Sequence, residues 1–188
     1  LMAFIAKMLW MTRVLADTDA CRRITRENVE DAKREGIAYL ELRFSPFFMA
    51  EPHGLDPKRV VAAVVEGAAE GAAATGVRVN LIGILSRHYG VELAHKELSA
   101  LLSQRQHLVA LDLAGDEANF PAPLFTEHFR KARDAGWRIP VHAGEAGGPQ
   151  SVWDAIRLLG AERIGHATRA LEDPKLADFL LEKRIAIE

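Results

Sequence analysis

A single cysteine, Cys21, occurs among 188 residues, so no internal disulfide can form. Such cysteine usage points to a reducing, cytoplasmic compartment. Runs of basic residues are absent and the net charge is -2. That balance offers no electrostatic footprint for nucleic acid or for an anionic membrane surface. Long apolar runs are lacking too. The most apolar stretch, "LMAFIAKMLWMTRVLAD", is interrupted by Lys7 and Arg13 and falls short of the roughly 20 residues a membrane span needs. It has neither a charged leader nor a clear small-residue cleavage site, and reads as a core helix. No GxGxxG motif follows the first strand-like segment, which weighs against a dinucleotide-binding sheet. The lone cysteine excludes a zinc half-site of the PCxxC kind. No low-complexity linker or composition break divides the chain, so residues 1–188 are expected to form a single domain.

What is present is an ordinary globular composition, 49% apolar and 27% charged. One pattern occurs four times: a helical segment ends in glycine and a short apolar segment follows. The instances are "AKREGIAYLELRF", "AAATGVRVNLIGIL", "KARDAGWRIPVHAG" and "IRLLGAERIGHA". Gly36, Gly76, Gly136 and Gly160 stand where helices need a left-handed C-terminal residue. Asp56-Pro57 and Asp173-Pro174 read as an N-cap followed by proline in the first turn. Strands are expected near residues 38–44, 79–85, 108–113, 139–142, 163–166 and 185–188, with helices between them. Strands alternating with helices imply parallel pairing through right-handed crossovers. The regular spacing of strand ends suits a βα barrel, and a full one takes about 250 residues. The expected fold is therefore α/β, an incomplete (β/α)8 TIM barrel with about six of eight βα units. The opening at Leu1 and the ending "RIAIE", which resembles an unfinished strand, fit an internal piece of a longer protein.

Alternate residues of a strand share a face. One face of these strands is apolar, for instance Leu40, Leu42 and Phe44, or Val109, Leu111 and Leu113. The other carries Glu41, Arg43, Asp112, His142, His166 and Glu188. Burying such groups unpaired would cost several kcal/mol each, roughly. A structural ion-pair layer, Arg43 with Asp112 or Glu41, is the plainer explanation for those three. His142 and His166 differ, because each closes its strand at the C-terminal end, where barrels place their chemistry. In "RIPVHAGEAGGPQS", Gly144 allows a sharp turn and sets Glu145 just past the strand end. His95, His107 and His128 lie in polar helical contexts and are expected to be solvated. The same glycine-rich stretch, preceding a helix, also admits a metal-free phosphate site.

The segments "LDLAGDE", "VHAGEAGGPQSVWDAIRLLGAERIGHA" and "ACRRITRENVEDAKREGIAYLELRFSP" resemble adenosine deaminases of the metal-dependent amidohydrolase type. The resemblance runs from about Leu9 to Glu188. It implies a Zn2+ cofactor, a small-molecule purine nucleoside as partner, and hydrolytic deamination of adenosine to inosine and ammonia. It also implies roles: His142 as a zinc ligand, Glu145 as the proton donor, and His166 as the group that activates the attacking water. Gly115 would contact the purine through its backbone amide. This sequence has "GHA" where the family usually has GHG, so Ala167 stands in place of a glycine. The family's HxH pair and its adjacent aspartates after the last strand do not occur here. Adenine, or an N6-modified adenosine nucleotide, is the alternative substrate for the same chemistry.

Overall fold

The computed structural model describes Lys7 and residues 10–188. Most of the opening apolar segment thus lies outside the described residues. Of its remainder, Trp10, Met11 and Val14 are largely exposed. The chain resolves into two compact units. One runs to Gly83 and includes Lys96–Val109, and the other comprises Ile84–His95 and Ala110–Glu188.

Helices and strands alternate as expected. The order is α1 (Thr18–Arg34), β1 (Tyr39–Phe44), α2 (Pro46–Ala50), α3 (Pro57–Thr75), β2 (Arg78–Ser86), α4 (Val91–Leu102) and β3 (Leu108–Ala114). There follow α5 (Thr126–Asp134), β4 (Pro140–Ala143), α6 (Pro149–Asp154), β5 (Arg163–His166), α7 (Pro174–Glu182) and β6 (Ala186–Ile187). The predicted punctuation is borne out. Asp56 and Asp173 accept the backbone N–H groups of Lys58 and Lys175, and a proline opens each helix. Gly36, Gly76, Gly136 and Gly160 all take positive φ. Against expectation, α6 continues into a π-helical turn, Ala155–Leu159, before Gly160 ends it. The guanidinium of Arg133 donates to the Leu159 carbonyl there, so the widened turn does not strand its carbonyls.

The strands form two parallel three-stranded sheets, ordered β1-β2-β3 and β4-β5-β6. An isolated parallel bridge joins Ala110 to Arg138, and the Leu111 N–H donates to the Arg138 carbonyl at 3.0 Å. Each strand therefore lies beside its neighbours in sequence, which is how βα units add when every crossover has the same hand. Strand β3 is buried on both faces: Leu111, Asp112 and Leu113 are each fully buried. Parallel strands covered by helices read as near-continuous apolar runs, and Asp112 interrupts this one. In the first unit α3 packs against α1 through its small residues. A Cβ at Gly67 would lie 2.2 Å from the Arg22 carbonyl oxygen, and one at Gly71 would lie 2.7 Å from Val29 Cβ. No helix among the described residues is long and apolar enough to cross a membrane.

Candidate active site

The site is built on the C-terminal ends of β3, β4 and β5. Asp112 accepts the backbone N–H of Leu113 at 2.7 Å and that of His142 at 3.2 Å. The His142 ring nitrogen Nδ1 lies 3.0 Å from one Asp112 oxygen and 2.8 Å from the other. An ionised carboxylate can only accept, so the proton of the neutral imidazole sits on Nδ1. That leaves the lone pair on Nε2 at the far side of the ring, held in orientation by a buried acid. This is the arrangement by which proteins prepare a histidine to ligate a metal. Of the inward-facing acids, Asp112 meets His142, and Glu41 accepts the hydroxyl of Tyr39 at 2.7 Å.

Arg87, which sequence reasoning passed over, is almost wholly buried. Its Nη2 donates to the carbonyl of Leu113 at 3.1 Å and to that of His142 at 2.7 Å. One amino group of the guanidinium therefore ties the ends of β3 and β4 together. Burial pulls its pKa down to about 10, opposed by the charges of Glu117, Asp112, Asp116 and Glu145. It stays cationic at neutral pH. Its neighbour His88 packs onto Gly115, where an added Cβ would lie 2.5 Å from His88 Nδ1. Gly115 also takes φ 110°, a second reason for glycine at the end of β3. Burial pushes the His88 imidazole toward its neutral form, against the pull of Asp116. The Asp116 carboxyl lies below its usual range because the Asn119 side-chain amide donates to it.

The loop after β4 is wrapped around a second unforeseen residue, Glu117. Its Oε1 accepts the N–H of Gly144 at 2.6 Å, and its Oε2 accepts those of Ala146 and Gly147, each at 2.7 Å. The hydroxyl of Ser151 donates to Oε1 as well. Gly144 takes φ 74°, and its carbonyl accepts the Thr168 hydroxyl at 2.7 Å. The amides that would have cradled a phosphate already face the chain's own carboxylate. The metal-free phosphate reading of "GEAGGPQS" is therefore not supported. Glu117 was legible in principle, because a glycine-rich turn that aims several amides one way makes an anion nest.

The loop holds Glu145 outward, opposite His166. The Glu145 Oε2 is 3.7 Å from His166 Nε2, and the two side chains are 36% and 38% exposed. That separation exceeds a direct hydrogen bond. The rings of His142 and His166 lie 5.1 Å apart, tilted by 57°. His142, Glu145 and His166 are thus brought together, whereas the close neighbour of Gly115 is His88. The histidines expected to be solvated divide. His107 is exposed, but His128 is buried and stacked on His95 with ring centroids 4.0 Å apart. Burial, followed by the neighbouring His95, disfavours the charged form of His128.

His166 and Ala167 both occupy the left-handed region, at φ 70° and 47°. A residue other than glycine pays roughly 1–2 kcal/mol there. Ala167→Gly relieves that strain but frees the unfolded chain by about 0.4–1 kcal/mol. The net expectation for the complete protein is a gain near 0.5 kcal/mol, roughly, read as a small upward shift of the urea midpoint. A loss of 1 kcal/mol or more, roughly, would mean that the strain at Ala167 is negligible.

His142 offers one metal donor of fixed tautomer. Among the described residues no group of three or more His, Cys, Asp or Glu side chains is placed to hold a metal ion. Protein zinc sites use three or four donors, so the described residues do not by themselves complete such a set.

Comparison with known proteins agrees with this picture. A family model described as adenosine deaminase matches residues 1–188. The adenosine deaminases of Escherichia coli O7:K1 (strain IAI39 / ExPEC) and Edwardsiella ictaluri (strain 93-146) are each 55% identical over 188 residues. The match covers 100% of this chain and 56% of either relative, so the chain spans little more than half their length. Among solved structures, an adenine deaminase from Arthrobacter aurescens superposes with a TM-score of 0.92 at 25% identity, covering 100% of this chain and 57% of that one. An amidohydrolase from Burkholderia ambifaria with bound Zn gives 0.86 at 26%, covering 92% and 48%. The N6-methyl-AMP deaminase of Arabidopsis thaliana gives 0.79 at 26%, covering 92% and 52%.

Proposed function

Because the chain belongs to the adenosine deaminase family, we propose that the complete protein hydrolyses adenosine to inosine and ammonia in the cytoplasm, with these 188 residues forming part of one (β/α)8 barrel domain. The observation that carries the reading is the strand-end cluster of His142, Glu145 and His166, with the His142 tautomer fixed by buried Asp112. Zinc, when bound, lowers the pKa of water from 15.7 to about 7 and so supplies a hydroxide nucleophile at neutral pH. His142 would hold it, since Asp112 occupies its Nδ1 and leaves Nε2 free to ligate. His166 accepts a proton from the attacking water. Attack at C6 builds negative charge on the purine, and Glu145 donates its proton to N1. The backbone amide of Gly115 holds the purine; the proton taken by His166 passes to the C6 amino group, the C6–N bond breaks to release ammonia, and the new C6 hydroxyl returns a proton to Glu145 as the carbonyl of inosine forms.

Adenosine is preferred over the alternatives because the relatives bearing that name are 55% identical. The solved adenine and N6-methyl-AMP deaminases are 25% and 26% identical. The test compares kcat/KM of the complete, zinc-loaded protein on adenosine, adenine and N6-methyl-AMP. Adenosine should lead by at least about 100-fold, the discrimination that pocket shape alone commonly supplies. Faster turnover of adenine or of the methylated nucleotide would overturn the assignment.

A further inference from the structure

We infer that Glu117 is a positioning residue for the deamination, acting through Glu145 by holding the backbone on both sides of it. The inference rests on the role proposed above for Glu145. Three features carry it. The first is the placement of the bonds. The carboxylate accepts from Gly144, immediately before Glu145, and from Ala146 and Gly147, immediately after it. No other side chain in the site is bonded to the backbone on both sides of Glu145 among the contacts described above.

The second feature is that the loop sequence is shaped to this carboxylate. A Cβ at Gly147 would lie 3.0 Å from Glu117 Cδ and 2.8 Å from Ser151 Cβ. A Cβ at Gly144 would lie 2.8 Å from Val152 Cγ2, on a backbone already at φ 74°. The two glycines that flank Glu145 in "GEAG" are thus the residues that let the main chain close on Glu117. The third feature is burial. Glu117 is only 5% exposed, so no water competes strongly for its oxygens. Charge-assisted bonds of this kind are short and strong, and four of them converge on two oxygens. Glu145, by contrast, is exposed and makes no direct hydrogen bond to His166. Its position is therefore set by the loop beneath it. A donor misplaced by about 1 Å can cost on the order of 100-fold in rate.

Glu117→Gln keeps the size but turns one acceptor oxygen into an N–H2 that faces backbone donors. In the complete, zinc-loaded protein, kcat on adenosine should fall roughly 30–100-fold, with KM within about 3-fold and zinc content unchanged. Glu117→Asp keeps the charge but is too short to reach all three amides, so it should recover part of the lost rate. The deciding measurement is the double-mutant cycle with Glu145→Gln. If Glu117 acts only through Glu145, the double variant is no slower than Glu145→Gln alone. Two independent losses that multiply would show a general structural role and overturn the inference. So would Glu117→Gln or Glu117→Asp turning over at the parent rate. If Glu117→Gln does not fold, Glu117→Asp is carried through the same cycle with the same criteria. Failure of the deaminase reading looks different, because the parent protein itself would then not release ammonia from adenosine.

Discussion

Glu145→Gln in the complete enzyme should bind its zinc as tightly as the parent and lose about 10²–10⁴-fold in kcat, the usual contribution of a general acid or base. The substitution keeps side-chain volume and hydrogen-bonding reach but removes the transferable proton. It also leaves the loop undisturbed, because Glu117 binds main-chain amides at Gly144, Ala146 and Gly147 and not the Glu145 side chain. His142 keeps Asp112 on Nδ1, so its capacity as a donor is unchanged. The loss should fall on kcat, since proton donation to the ring matters in the transition state and little in the ground state. Metal analysis beside steady-state rates checks both halves. A variant within a few-fold of the parent would remove Glu145 from the chemistry, and one without zinc would show that the loop also builds the metal site.

Arg87→Met is expected to have the largest effect on stability, a loss of about 2–6 kcal/mol, because the carbonyls of Leu113 and His142 lose their buried donor at about 1–3 kcal/mol each. Met approximates the apolar stem of arginine and cannot donate to the carbonyls of Leu113 and His142. The acids Asp112, Asp116 and Glu117, all buried, also lose the cation nearest them. Domains are stable by only about 5–15 kcal/mol, so a loss of this size is a large share of the whole. Arg87→Lys should recover part of it, since an ammonium restores the charge but not the planar guanidinium that sets Nη2 between the two carbonyls. Urea unfolding of the complete protein at neutral pH measures both variants. Parent-like stability of Arg87→Met would mean that the two carbonyls find other donors.

The α/β alternation was legible because its signals are local. Glycine at helix ends, aspartate-proline at helix starts and period-two alternation are properties of a few adjacent residues. His142, Glu145 and His166 were legible as strand-end polar residues, and their clustering follows once the strands pair in sequence order. Asp112, Arg87 and Glu117 were harder. Asp112 was seen to face inward, but the one-residue alternation of β3 cannot say whether a buried acid meets an arginine or a histidine. Arg87 sits in a polar stretch, "SRHYG", that reads as surface, and only tertiary packing buries it. The partners of Glu117 lie 27 to 34 residues away. The π-helical turn after Asp154 left no mark in the sequence, and Arg133, which donates to its Leu159 carbonyl, lies 26 residues earlier.

The clasp around Glu117 has a consequence for acid tolerance. Burial pushes the Glu117 carboxyl upward, but the bonds from Gly147, Ser151, Gly144 and Ala146 outweigh it and hold the group below its ordinary value of 4.5. A depressed carboxyl binds protons less readily in the folded chain than in the unfolded one. Its stabilisation is therefore complete above the ordinary value and drains away as pH falls through the lower folded one. A protonated Glu117 must point a hydroxyl at donors and surrender at least one amide. On acidification below pH 4.5, hydrogen exchange at Gly144, Ala146 and Gly147 should accelerate relative to the intrinsic rate before the amides of β3 lose protection. The part of the molecule that aims Glu145 is, on this account, the first to come loose in acid.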